Sequence, residues 1–483
     1  MDVSTDQISG DQGQMLGAIK VSKCLLYLQI VCFAILNAIW VLPGTISLRN
    51  ICLITGALIS LRTIYQARRL FLSQRALPIW CILALFAWVS LHLLFLSHNR
   101  ALQYAEWTSI WKHSAIGCIF ALGLGIALGA MMSNAKKSGT VFSRSSFAIF
   151  SLGLVLPSLV YGFKWILGHH AGQWGLEVMG ALGVYANLNL AYVAKTAYVA
   201  FCLPALGAAL GLLLYYFRTH RLFSLGSALC LATIFLVSWV FDSENIKNGV
   251  AYSMGLALIA VLLMAASALK GRAVKKLTFI ALFMACSFAF LVLHIQHNPS
   301  WQSFGADAKI ALQTDQYAQW KYNGQQGYPI NELGAMVSVT NYERTAWAKE
   351  GIKLIIENPL GYGLVERSFG HLAKEKWPDS LLHQSHSGWI DLTLGLGIPG
   401  LLLILSALVM TIYQLARSQG GGDSAAPNPY VIALQWILLS LLLMWCTTEI
   451  SQKVYLDSLL FWIVLGAAFN ITDQKSEILS SYS

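Results

Sequence analysis

A chain of 483 residues that is 57% hydrophobic and only 11% charged has too little polar surface to cover a soluble globule of its size, so a bilayer must supply most of its solvent. The formal charge of +10 would direct a soluble protein toward nucleic acid; here there is no lysine-rich tail, no nucleic-acid partner is expected, and the spread of basic residues among short connections reads as membrane topology. All nine cysteines lie in apolar runs, which argues against a disulfide framework and a thiolate metal site.

The first polar stretch, Met1 to Lys23, carries Asp2, Asp6 and Asp11 and lacks the basic start, short apolar core and cleavage site of a signal peptide. Lys20 and Lys23 therefore flank a first true span. Apolar windows predict spans at 24–42, 46–61, 77–97, 115–132, 146–167, 190–216, 222–241, 248–269, 277–296, 391–413, 430–446 and 454–471. The expected fold class is thus all-α integral membrane with about twelve transmembrane helices. Basic residues cluster in alternate connections: Arg62, Arg68, Arg69 and Arg75, then Lys136, Lys137 and Arg144, then Arg218 and Arg221, then Lys270 to Lys276, then Arg417 and Lys475. The positive-inside rule places these connections and both termini in the cytoplasm. The opposite set, 98–114, 168–189, 242–247, 297–390 and 447–453, then lies outside. Residues 1–296 would hold nine spans, 297–390 one large, partly helical outer loop, and 391–483 three spans and a tail. No inverted repeat of the transporter kind is evident, and Ser418 to Pro429 reads as a flexible linker.

The outer segment is too long and aromatic to be a mere connector, with Trp301, Phe304, Tyr317, Trp320, Tyr322 and Tyr328 before its first strong helix signal. That helix is predicted to begin at a capping box, Thr340-Asn-Tyr-Glu343, to run through Ala346, Trp347, Ile352 and Ile355, and to stop at Asn358-Pro359 and Gly361. Its apolar stripe is expected to rest on the bundle or the membrane surface. Arg344 falls in its first turn, where a cation opposes the helix dipole; a guanidinium there can grip a diphosphate, or simply pair with Glu343 or Glu350. Further on, a polar turn with His383 and His386 runs directly into an apolar helix. His386 at that surface can take a proton from a hydroxyl nucleophile; the more ordinary reading is that it bonds its own loop or caps the helix.

Arg49, Arg100, Lys112, Lys164, Lys195, Lys247 and Lys453 lie on the side where basic residues are disfavoured. Snorkelling accounts for Arg49, Lys164 and Lys453, whereas Lys195, about one turn into its span, and Lys247 fit diphosphate contacts better, although Asp242 or Glu244 can neutralise Lys247. His169-His170 lacks a third ligand by spacing, so no metal is assigned. No Walker loop, Gly-x-Ser-x-Gly elbow or Asp-x-Asp motif occurs.

Taken in order, Arg344-x-x-Trp347, Glu357-Asn-Pro-Leu-Gly361-Tyr-Gly363, and His386-Ser-Gly-Trp-Ile-Asp391 leading into Gly395-Leu-Gly397-Ile-Pro-Gly400 resemble the O-antigen ligase and polymerase superfamily. Gly183 to Ala191 looks like the family's entry to a middle helix, and Lys247 stands where many members have an arginine that contacts phosphate. The resemblance spans roughly residues 180 to 415. It implies a C-type glycosyltransferase-like fold and a multi-pass protein of the bacterial inner membrane whose large periplasmic loop carries an essential histidine. It further implies a metal-independent transfer without cofactor, an undecaprenyl diphosphate-linked glycan as donor, and, for a ligase, the lipid A core as acceptor in lipopolysaccharide biosynthesis. On that reading His386 is the general base, Arg344 acts with it, and Lys247, with Lys195 and Arg100 behind it, holds the diphosphate. A polymerase and a protein O-oligosaccharyltransferase share the donor and stay as alternatives; a lipid-linked sugar transporter ranks below them.

Overall fold

In a bilayer each backbone N–H and C=O must be satisfied within its own segment, so apolar runs of this length fold as helices. The computed structural model describes residues 22–40, 42, 44–138, 141–170, 173, 195–269, 274–419, 428–448 and 453–472. In chain order the helices are α1 (Lys23–Ile39), α2 (Ile46–Gln66), α3 (Leu77–Phe95), α4 (Arg100–Glu106), α5 (Lys112–Ser138), α6 (Val141–His170), α7 (Lys195–Arg218), α8 (Leu225–Ser243), α9 (Lys247–Leu269), α10 (Val274–Gln296), α11 (Phe304–Ala311), α12 (Val339–Glu357), α13 (Ser368–Lys376), α14 (Gly388–Gln419), α15 (Pro429–Met444) and α16 (Lys453–Thr472). Every predicted window falls on one of them. Among the described residues, ten helices are long and apolar enough to cross a membrane, α4 and α5 counting as one; α1 and α15 are apolar but shorter. Among the described residues the only β feature is an isolated bridge between Ile330 and Met336. The segment Gly183 to Ala191 and most of the linker after Ser418 lie outside the described residues.

The most buried helices, α7 and α16, form the centre of the bundle. Helix α16 lies along α5 so closely that a Cβ at Gly125 would press on Leu465 and Ala468, and one at Gly129 on Phe469 and Thr472. Helix α15 packs on α7, α1 on α6, and α3 on α14, while α10 stays at the periphery with most of its surface exposed. Residues 98–114, read from the sequence as a connection, are instead largely helical: Asn99 caps α4 by accepting the Leu102 amide at 3.1 Å, and a π turn over Trp107–Trp111 carries α4 into α5. The polar residues that masked this helix have partners on its flank. Glu106 accepts the amides of Val365 and Glu366 at 2.7 and 2.9 Å, and Gln103 bonds His92 at 3.1 Å.

The long hydrophilic segment builds a core of its own from Ile310, Trp320, Val337, Tyr342, Ala346, Trp347, Leu354, Phe369, Leu372 and Leu382, closed below by Leu394 of α14. The apolar stripe of α12 therefore mostly faces this private core, and Ile352 and Ile356 are left exposed. Asp307 organises the approach to α12. Its buried carboxylate accepts from Ser303 Oγ at 2.7 Å, Asn331 Nδ2 at 2.8 Å, Asn341 Nδ2 at 2.9 Å and the Ser338 amide at 3.2 Å. Burial pushes its pKa up, but those hydrogen bonds outweigh burial and hold it below the usual carboxylate range. A depressed carboxylate pKa contributes stability above its ordinary value, near 4, that is lost as pH falls through the folded value. Asp307→Asn, which would set an amide donor against these donors, should destabilise this segment by roughly 3 kcal/mol; limited proteolysis between Trp301 and Val337 would read the loss, and unchanged resistance would refute the role.

The segment is stitched to the bundle by main chain. The turn Asn358–Gly363 lies against a break in α14, where Gly397 adopts φ 71 and ψ 176. Three amides cross between them: Tyr362 to the Leu394 carbonyl, Gly363 to that of Gly395, and Ile398 to that of Pro359, each at 2.8 Å. Side chains at Gly361, Gly395 or Gly397 would collide with the facing backbone. Trp88 of α3 donates its indole N–H to the Leu396 carbonyl at 2.7 Å, using a carbonyl that the break exposes.

Candidate functional site

His386 sits in a turn whose every neighbour is fixed. Asp391, in the first turn of α14, accepts the Ser385 amide at 2.8 Å, the Asp391 amide donates to the Ser387 carbonyl at 2.9 Å, and Ser385 Oγ bonds both the amide and the carbonyl of Ser387 at 3.2 Å. A Cβ at Gly388 would collide with the Trp445 ring and crowd the Thr448 carbonyl. Trp389 then hooks onto the end of α15, its amide to the Trp445 carbonyl at 3.2 Å and its indole to the Leu442 carbonyl at 3.1 Å. Between these anchors His386 takes φ 57, a left-handed conformation uncommon for a residue with a Cβ and frequent at functional sites. Its ring is half-buried and lies flat on Trp347 of α12, with centroids 5.2 Å apart and an interplanar angle of 13°. Trp347 is itself held by donating to the Trp320 carbonyl at 2.9 Å.

Helix α12 brings Glu343 and Arg344 to the same place. The helix begins at Val339 with Ser338 as its N-cap, and no capping side-chain bond forms, so the expected capping box is absent. Arg344 accordingly lies in the second turn, half-buried. Glu343, one turn before Trp347, is buried and accepts the Tyr328 hydroxyl at 2.7 Å. Burial raises its pKa; the Tyr328 hydrogen bond and the charges of His386 and Arg344 draw it partway back. Tyr328 is in turn pushed well up by burial and by this carboxylate.

Lys247, the first residue of α9, reaches the start of α12. Its ammonium donates to Ser300 Oγ and approaches Thr340 Oγ1 at 3.4 Å, and Thr340 is one turn before Arg344 on the same helical face. Asp242 bonds His294 Nδ1 at 2.8 Å, and buried Glu244 meets the Tyr198 hydroxyl at 3.4 Å. Thus Lys247 reaches the first turn of α12, Arg344 lies in its second, and His386 stacks on Trp347 in its third. Arg100 does not join them: its guanidinium donates to the Leu94 carbonyl at 2.9 Å. Lys195 heads the described part of α7, and its side chain lies outside the description, as does that of Lys453. Arg49 turns back to the Trp40 carbonyl at 2.6 Å. Lys164 departs from the snorkelling expectation, because its side chain is 5% exposed and its ammonium has no hydrogen-bond partner among the described residues.

Sequence reasoning missed two groups. Glu343 was hidden by its match to the Ser/Thr-x-x-Glu capping pattern. A second cluster at the starts of α2, α5 and α16 has buried Asp457 bonded to His113 Nδ1 at 2.7 Å and to Ser114 Oγ, with His113 Nε2 on Asn50 Oδ1 at 3.1 Å; a carboxylate inside an apolar run was the available signal. Among the outer aromatics, Trp320 is buried in the private core.

No curated protein matches this chain. Residues 247–405, the stretch from Lys247 through Glu343, Arg344 and His386 to the break in α14, match the family model described as O-antigen ligase, and the resemblance carried by the motifs to the O-antigen ligase superfamily is thereby borne out.

Proposed function

We propose that the protein is an O-antigen ligase of the bacterial inner membrane, with both termini in the cytoplasm and the hydrophilic segment in the periplasm. A hydroxyl of the lipid A core attacks the anomeric carbon of an undecaprenyl diphosphate-linked polysaccharide. The new glycosidic C–O bond forms as the bond from that carbon to the diphosphate oxygen breaks, and the lipid diphosphate leaves with the electron pair. His386 takes the hydroxyl proton, and Arg344 and Lys247 hold the leaving group, with Lys195 and Arg100 as further cations on that side of the membrane. Diphosphate is a good leaving group, so clamping by cations together with one base can carry the transfer without a divalent ion.

The observation that carries this reading is the convergence of a base and two cations on one end of α12, inside the stretch that matches the ligase family. The family match supports activity of the ligase or polymerase type on a lipid-linked glycan; the choice of the lipid A core as acceptor rests on the resemblance of the His386–Gly400 wording. The test is a strain lacking the gene, complemented with wild type or Arg344→Ala at equal membrane levels, with lipopolysaccharide and lipid-linked glycan separated on gels. A ligase leaves long chains on the lipid carrier and none on the lipid A core when activity is lost. Single repeats on the core would instead identify a polymerase, and normal lipopolysaccharide beside unglycosylated protein a protein transferase. For Arg344→Ala the expected loss is on the order of a hundredfold, the scale of a charged donor removed from a developing oxyanion.

A further inference from the structure

Glu343 has no task in that mechanism, yet it is a buried carboxylate at the centre of the site. A helix spends nothing on placing an acid in its second turn facing inward; left alone, the group would be costly there. Tyr328, from the stretch before α12, donates to it at 2.7 Å. Arg344 adjoins it on α12, and the charges of both Arg344 and His386 act on it. Lys247 of α9 reaches Thr340 one turn earlier, and Asp307 of α11 is occupied with Asn341 at 2.9 Å. Trp347, which supports the imidazole from below, is four residues further on, so Glu343 and the imidazole share one face of α12.

We propose that Glu343 is the positioning carboxylate for His386: it stabilises the imidazolium formed when the acceptor hydroxyl gives up its proton. The inference rests on the general-base reading of His386. In the step, the proton moves from the acceptor hydroxyl to the imidazole, the acceptor oxygen bonds the anomeric carbon, and the diphosphate departs. Glu343 remains anionic beside the new cation, and the proton then passes to the leaving diphosphate or to water, which restores the neutral imidazole. Tyr328 keeps the carboxylate charged by donating to it, and Arg344 divides its charge between this acid and the leaving group.

Stabilisation of a charge that forms only in the transition state is lost from kcat and leaves KM alone. Glu343→Gln should therefore lower kcat roughly tenfold with KM unchanged. Glu343→Asp should restore most of that loss. Tyr328→Phe, which keeps the acid but removes the hydrogen bond to it, should lower kcat in the same way by less and serves if Glu343→Gln fails to reach the membrane. The measurement uses membranes containing the full-length protein, polymer-loaded undecaprenyl diphosphate and lipid A core. A wild-type kcat in both variants, or a loss confined to KM, with His386→Ala inactive, would overturn this role and leave His386 as base. Full transfer by His386→Ala would overturn the base itself, and the positioning role with it.

Discussion

His386→Ala should abolish transfer while leaving the protein in the membrane at its wild-type level. Loss of a general base costs about two to four orders of magnitude, enough to empty the lipid A core of polymer and leave long chains on the carrier. The structural cost should be small beside that loss, because the ring is half-buried and its stack on Trp347 is worth about 1 kcal/mol. A second variant keeps the result interpretable. His386 occupies φ 57, a conformation that asparagine accepts more readily than most residues, so His386→Asn removes the base and preserves the turn. Equal protein levels and loss of transfer in both variants fit the base; wild-type transfer by His386→Asn would sink it.

Gly397→Ala should sharply lower the stability of the protein and the level to which it accumulates. At φ 71 and ψ 176 the backbone is in a region that is essentially reserved for glycine, and the added methyl would meet the backbone of Leu360 directly. Backbone strain and overpacking together come to on the order of 4 kcal/mol, a large share of the total stability of an ordinary domain. The loss should appear as a lower midpoint of thermal aggregation in detergent and as degradation in cells. Gly255→Ala, where nothing lies within 4 Å of a built Cβ, is the control that should change neither. Wild-type accumulation of Gly397→Ala would show that the break in α14 does not need a glycine.

The bundle was legible because its signal is local: an apolar run long enough to cross a bilayer needs no knowledge of its neighbours. What stayed hidden depended on neighbours. Gln103 and Glu106 made α4 read as a loop, since the amides that satisfy Glu106 come from residues far along the chain and the imidazole that meets Gln103 comes from the preceding helix. Lys164 read as a snorkelling residue because sequence gives depth along a helix but not the direction of its inner face. At the site, the ordered motifs marked Arg344 and His386, and the family match covers both. Glu343 was assigned to a cap because Thr340 and Glu343 are correctly spaced for one; the helix starts at Val339, which turns that carboxylate into the core toward Tyr328.

The main-chain seam between Asn358–Gly363 and the break in α14 bears on how this protein can diverge. Where two segments recognise each other through side chains, a change on one side can be compensated on the other, and the pair drifts together. Here the three crossing amides and carbonyls are common to nearly all residues, and closeness is set by hydrogen atoms in place of side chains at Gly361, Gly395 and Gly397. No exchange on one side repairs a change on the other. These positions should therefore stay frozen individually and show no correlated substitution, so that one of the closest junctions between the hydrophilic segment and the bundle is silent to any inference of contact from covariation.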